Sequence, residues 1–399
     1  MSDAASRLIS HRCKVVCMAI YCLAALVFIL QYAENLTVSL QTFRNVVPTV
    51  DSHREYCVLP SVLRSNASSW SFHDLRSTVA LKDRVTLVLH LSADYLTDQL
   101  RDQVMNWNGP VSLSVYFDKP FHQMPCVHDK LSTMQTQIPE FFKLVEVHYF
   151  YKGPCRTFNT SLPCEPQNAT RTPKEVAQYP ANTARNIARK YVRTDYIVIA
   201  DFEHQFSEGF ERRMSQLAKR ELAVNNKTLL VYRIFEVSND VPSPRNKHEL
   251  ADLLRTKKAV VFHALYYNAH NVPGLKQWLR KPIGKGNGIF AKNLIMSRSN
   301  WEPQFVSSAS IPLHDEDFPY MIRDNTVLRW ELCRANYTLV LVDDHFMFHR
   351  GIKRGNDRGF GAKVRRWNKR KFLNALQQFK LRMHTQYPKT AAKCPAFGY

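Results

Sequence analysis

"DYIVIADFEHQF", residues Asp195 to Phe206, begins as an apolar run and stops on acids. Tyr196 to Ala200 are apolar and mostly β-prone, the pattern of a strand buried on both faces. Asp201 and Glu203 follow, bracketing Phe202, with His204 next. In an open α/β sheet, ligands gather beyond the C-terminal ends of the strands. Residues i and i+2 share a side while the chain stays extended, so both carboxylates can face one ion. Close carboxylates repel, and a divalent cation removes that penalty; Mg²⁺ and Mn²⁺ prefer oxygen ligands. A solvated acidic turn is the competing reading, and the spacing alone leaves both open.

Working outward, the same alternation of strand and helix recurs. "RVTLVLHLS" from Arg84, "VSLSVYFD" from Val111 and "FKLVEVHYF" from Phe142 read as strands. "LTDQLRDQVMNW" lies between the first two with apolar residues at helical spacing. Before the acid-tipped strand, Pro180 and Asn182 open a helix through Tyr191, with Ala184, Ile187, Ala188 and Tyr191 as its apolar stripe. "GFERRMSQLAKREL" gives another helix; "TLLVYRIFEV", "AVVFHALY" and "TLVLVDDHFMFH" give three more strands. The pattern predicts an α/β fold with a mixed, mainly parallel central sheet. "PIGKGNGIFAKN", Pro282 to Asn293, reads either as a mobile basic loop over a diphosphate or as an ordinary surface loop.

The chain of 399 residues has 55 Lys and Arg against 34 Asp and Glu, a net charge of +21. Such a charge favours polyanions, acidic sugars, phosphates or an anionic membrane face. Other features exclude nucleic acid as the natural partner. Residues 15–33 form a low-polarity stretch of 19 residues behind Arg7, Arg12 and Lys14. That length spans a bilayer core at about 1.5 Å per residue. The positive flank predicts a cytoplasmic tail, residues 1–14, and a type II orientation; a cleaved signal peptide is the alternative. Six Asn-x-Ser/Thr sequons follow, at Asn35, Asn66, Asn159, Asn168, Asn226 and Asn336. Cys57, Cys126, Cys155, Cys164, Cys333 and Cys394 lie beyond the stretch and permit three disulfides in an oxidising compartment. Cys155 and Cys164 are close enough in sequence to pair locally. Residues 34–80 then read as a lumenal stem and 81–399 as the folded domain.

A further ligand stands far along the chain, in "VLVDDHFMFHRGIKRG", Val340 to Gly355. His349 precedes Arg350 and Gly351, where the chain should turn, and a neutral imidazole there suits Mn²⁺. Arg350, Lys353 and Arg354 are placed to grip phosphate oxygens, or form a plain basic turn. Five segments in order now resemble one family. They are "YPANTARNIAR", "DYIVIADFEHQFSEGF", "WEPQFV" (Trp301–Val306), "PLHDEDF" (Pro312–Phe318) and "FMFHRGIK". Over residues 84–360 the chain resembles glycosyltransferase family 49, that of the β-1,4-glucuronyltransferases and of the C-terminal domain of LARGE-type xylosyl- and glucuronyltransferases.

The resemblance implies a GT-A fold and a Golgi type II membrane enzyme with its catalytic domain in the lumen. It implies Mn²⁺ held by Asp201, Glu203 and His349, a UDP-sugar donor near Arg185, Asn186 and Asp201, and a glycan or glycoprotein acceptor. Glucuronic acid is the candidate sugar. Asp315 and Glu316 would line the acceptor side, either one as the base of an inverting transfer; Trp301 would touch acceptor or anchor the core. Two departures stand out. The second acid of the family's Asp-x-Asp is Glu203, and "PYMIRDNTV" replaces a Gly-Tyr-Gly stretch after Phe318. Pro319 and Met321 lack the freedom of glycine, which predicts a different acceptor pocket. A transferase-like protein that binds nucleotide sugar or glycan without turnover is the alternative.

Overall fold

The computed structural model describes residues 81–139, 143–156, 171–264, 269–284, 288–353 and 358–398, with strand segments 49–51 and 56–63 and residues 23 and 26. The chain divides into two units, Met1–Val47 and Pro48–Tyr399. Of the first, Leu23 and Leu26 alone are described, both helical. The expected anchor therefore lies almost wholly outside the described residues. Among those described, no helix is long and apolar enough to cross a membrane.

The second unit alternates strand and helix. Its strands are β1 Thr49–Asp51, β2 Tyr56–Leu63, β3 Val85–Ser92, β4 Val111–Phe117, β5 Val145–Lys152, β6 Tyr196–Ile199, β7 His204–Phe206, β8 Thr228–Val237, β9 Ala259–Val261, β10 Ile289–Leu294, β11 Gln304–Ser308 and β12 Thr338–Arg350. Its helices are α1 Gln99–Trp107, α2 Pro120–Gln137, α3 Pro173–Ala177, α4 Ala181–Lys190, α5 Phe210–Leu222, α6 Lys247–Arg255, α7 Leu275–Arg280, α8 Thr326–Arg334 and α9 Arg358–Gln386. One sheet runs β1-β2-β5-β4-β3-β6-β11-β8-β12-β10, with β7 beside β12 and β9 beside β8. Every residue of β3 and β8 is buried, as helices on both faces require.

The sheet is mixed, as expected, but not mainly parallel. Parallel pairing covers β5-β4-β3-β6 and β8-β12. Between those blocks β11 is antiparallel to both β6 and β8, and β1, β2, β7, β9 and β10 also pair antiparallel. The inserted β11 lets the chain enter the sheet from the end at which its neighbours leave.

Two other expectations need correction. The stretch expected as stem contributes β1 and β2, of which β2 pairs with β5 and β1 ends the sheet. Its Cys57 bonds Cys155, so Cys155 does not pair locally with Cys164. Cys333 bonds Cys394, and Cys126 is also disulfide-bonded. Part of the Gly- and Lys-rich segment is the strand β10, antiparallel to β12; residues 285–287 lie outside those described.

Candidate active site

Register assembles the site. β3 and β6 run parallel with Val88 opposite Ile199, so two residues further on His90 faces Asp201. β12 pairs antiparallel with β7, setting His349 opposite His204 and thereby beside the Asp201–Glu203 turn. β11 starts where β6 ends, bringing Glu302 and Gln304 to the same mouth. Gly351, at φ +90°, ends β12 with a turn that residues bearing Cβ rarely adopt. Its N–H donates to the Val237 carbonyl at 2.7 Å, and Lys353 then returns to the cleft.

The cleft has a volume of about 380 Å³. Asp201, Glu203, Glu302 and Asp324 are its carboxylates; Arg171, Arg185 and Lys353 are its cations. The Asp201 side chain is 53% exposed, and its Oδ1 lies 3.6 Å from His90 Nε2. Among the described residues the buried His90 Nε2 has no hydrogen-bond partner, while Nδ1 meets the Tyr179 hydroxyl at 2.7 Å. Burial raises the Asp201 carboxyl's pKa, but His90, His204 and Arg185 outweigh it and hold the group far below the carboxylate range. His204 Nδ1 accepts the Asp201 N–H at 3.1 Å, which fixes an unprotonated Nδ1. Burial pushes His204 down to about 4, in agreement with that role.

Glu203 Oε1 stands 3.2 Å from His349 Nε2 and 3.9 Å from Lys353 Nζ. His349 foremost holds the Glu203 carboxyl below its usual range. His349 Nδ1 donates to the Gly351 carbonyl at 3.2 Å. Its Nε2 then faces the carboxylate with either a second proton or a bare lone pair. Between lone pair and carboxylate a positive charge is required, and the carbonyl-fixed imidazole is the usual outer-shell arrangement of a metal ligand. Oxygen donors with one imidazole suit Mn²⁺. The donor set fits a cation in its chemistry. Among the described residues, no group of three or more His, Cys, Asp or Glu side chains stands close enough to hold one. Asp201 lies with His90, and Glu203 with His349.

The remaining expected site residues part company. Arg185 lines the cleft, but its Nη1 donates to Asn182 Oδ1 at 2.7 Å and Asp324 Oδ2 at 2.8 Å. Asn186 is buried and brackets His314, donating to its carbonyl and accepting its N–H, both at 2.9 Å. Asp315 and Glu316 are not among the described residues lining the cleft. Asp315 Oδ2 accepts from Arg382 at 3.0 Å. Glu316 accepts from Thr183 at 2.7 Å and Asn186 at 2.8 Å. Donors from α4 and α9 occupy these carboxylates, which clamp the segment to the helices. Trp301 is buried, with its indole N–H on the Asn271 carbonyl at 3.0 Å, so it anchors the core.

Sequence reasoning missed His90, Asp324 and, above all, Glu302. Its carboxylate reaches the cleft 4.0 Å from His270 Nε2, with a side chain 18% exposed. The signal lies in "WEPQFV", an acid between an aromatic and a proline just before a strand.

Residues 84–388 match the family described as glycosyl-transferase for dystroglycan. The chain is similar to β-1,4-glucuronyltransferase 1 of Mus musculus, 24% identical over 355 residues, 84% of this chain and 83% of the relative. The same enzyme of Danio rerio is 26% identical over 218 residues, 54% and 49% of the two chains. Human xylosyl- and glucuronyltransferase LARGE1 is 21% identical over 267 residues, 66% of this chain and 31% of the relative. Among solved structures, GalNAc-T7 with UDP, GalNAc and Mn²⁺ overlaps at TM-score 0.43 and 10% identity, over 79% of this chain and 52% of that one. A likeness that loose carries no argument.

Proposed function

The chain belongs to the glycosyl-transferase for dystroglycan family, and from that premise we propose a Mn²⁺-dependent GT-A enzyme moving a sugar from a UDP-sugar to a glycan acceptor. Glucuronic acid is the first donor sugar to try, because the β-1,4-glucuronyltransferases are similar over most of the chain. The observation that carries the reading is the strand register that brings Asp201 and Glu203 to one cleft and sets His349 beside Glu203. A cation bound there would neutralise the charge that develops on a departing diphosphate. Lys353 is placed to meet phosphate oxygens beside Glu203. Glu302 is the carboxylate placed to accept the acceptor hydroxyl's proton: Asp324 is committed to Arg185, and Asp315 and Glu316 are clamped elsewhere. The low-polarity stretch 15–33, the sequons and the cysteines support a single-pass type II protein with this domain in the Golgi lumen.

One observation favours binding without turnover: the three expected ligands do not form a single close group. A donor screen with and without Mn²⁺ separates the readings. Transfer or donor hydrolysis should require Mn²⁺ and fall at least about tenfold in Asp201→Ala, a loss of about 1.4 kcal/mol in transition-state stabilisation. UDP-sugar binding with no sugar released in any condition supports the binding protein. An unchanged rate in Asp201→Ala overturns the metal role.

A further inference from the structure

Helix α9 runs for 29 residues without an acid. Lys363, Arg365, Arg366, Lys369, Arg370 and Lys371 fall within nine positions of it. Its inner face is accounted for. Val364 packs with Val176, Ala177, Tyr320 and Met321, and Phe372, Phe379 and Met383 enter the main core. Asn368 Nδ2 donates to the carbonyls of Ala177 at 2.9 Å and Tyr320 at 3.1 Å. Val176, Tyr320 and Met321 also line the cleft, so α9 packs on residues of the cleft wall.

On the outer face of α9 Trp367 is 60% exposed. The Lys174 amine stands 5.7 Å from its ring centre. Lys363 and Arg370, both exposed, lie one turn to either side of it. From Lys363 to Arg370 the rise is about 10 Å, roughly the length of two sugar rings.

We propose that the outer face of α9, with Lys174, is a docking track for an anionic polysaccharide, and that it holds the acceptor chain of the transfer. The track stands on the geometry of α9; its use for acceptor rests on the glycosyltransferase reading. Carboxylated sugars lay the flat face of a ring on the indole while guanidinium and ammonium groups take the carboxylates. A lipid surface fits less well. Insertion needs a continuous apolar face; the main apolar stripe of α9 packs on the core, and the large apolar residues it leaves exposed, Phe360, Trp367, Leu373 and Leu381, stand about two turns apart. Single-stranded nucleic acid uses the same pairing of aromatic and cation, so it serves as the control.

The test uses the full chain and fluorescein-labelled polygalacturonate, followed by anisotropy at 50 and 200 mM NaCl, with neutral dextran of equal length beside it. Polygalacturonate should bind, more weakly at the higher salt, and dextran should not. Trp367→Ala and the double variant Arg366→Glu/Arg370→Glu should each lower affinity at least tenfold, while Asp201→Ala leaves it unchanged. Parental binding by the α9 variants overturns the track. So does tighter binding of oligothymidylate or phosphatidylserine vesicles through the same residues. Donor hydrolysis without acceptor should be the same in parent and α9 variants. If the parent neither transfers sugar nor hydrolyses donor yet polygalacturonate still binds through Trp367, the enzyme reading fails and the track stands.

Discussion

Arg185 holds Asp324 at 2.8 Å with side chains only 6% and 11% exposed. The pair sits in the cleft wall, where removing one partner strands a charge out of water. Arg185→Ala should therefore destabilise the fold by about 3–5 kcal/mol, read by urea unfolding. Arg185→Ala with Asp324→Asn should recover most of that loss, because no charge is then stranded. A cost below about 1 kcal/mol for the single variant would mean that Asp324 finds water or another cation. Two carboxylates in the same cleft separate by role. Glu203→Gln keeps the shape and removes the charge facing His349, so the Mn²⁺ concentration for half-maximal rate should rise about tenfold. Glu302→Gln should leave that requirement alone and lower turnover at saturating donor by about 10²–10⁴. The reverse pattern would exchange the two assignments.

At the scale of elements, the segment after Phe318 shows what sequence can and cannot disclose. Pro319 and Met321 stand where the resemblance expects glycines, and the expectation there is an acceptor pocket of different shape. Met321 and Arg323 nevertheless adopt φ +66° and +54°, the left-handed region. Residues bearing side chains hold this conformation at a cost of about 1–2 kcal/mol each. Arg323→Gly relieves that strain against the larger entropy loss of glycine, so it should stabilise by about 0.5–1 kcal/mol, raising the thermal midpoint. An unchanged or lower midpoint would mean that the Arg323 side chain repays the strain through contacts. Tyr320 and Met321 line the cleft, so strain here lies beside the presumed chemistry. Elsewhere, legibility followed burial. β3, β4, β6 and β8 were readable as apolar runs because both of their faces are covered. β10 was not, because its residues are half-buried or exposed and its composition is that of a loop. β11 ends in Ser307 and Ser308 and is too short to show a period.

For the whole molecule, legibility stopped where distant strands meet. Asp201, Glu203 and His349 each end or leave a strand, a local property that sequence displays. Glu302 and His90 reach the cleft through strand order and register, and Asp324 through the turn before α8, which no local pattern encodes. The same long-range packing encloses histidines far from the cleft mouth, and they give the molecule a pH response. His148, fully buried in β5, accepts the Ser61 N–H on Nδ1 at 3.0 Å and meets the Ser112 hydroxyl through Nε2 at 3.0 Å. It thus ties β2 to β5 and β4 as a neutral ring. Burial pushes His148 down to about 3, with Arg193 adding to the shift. Burial likewise pushes His345 down to about 3, with Arg213 adding to it. In the unfolded chain both titrate near 6.5, so between about pH 6.5 and 3 the unfolded state binds more protons and stability rises with pH. It is full above 6.5 and drains as pH falls. From pH 7.5 to 5.5 the two groups together should cost about 2–3 kcal/mol, seen as a lower urea midpoint. His204 and other buried histidines add to the same drift; His148→Gln keeps a donor and an acceptor without titrating, and should remove about 1.4 kcal/mol of the pH difference while lowering stability at pH 7.5. Equal midpoints at the two pH values would require both rings to take up protons in the folded state, breaking the Ser61–His148 bond that holds β2 to the sheet.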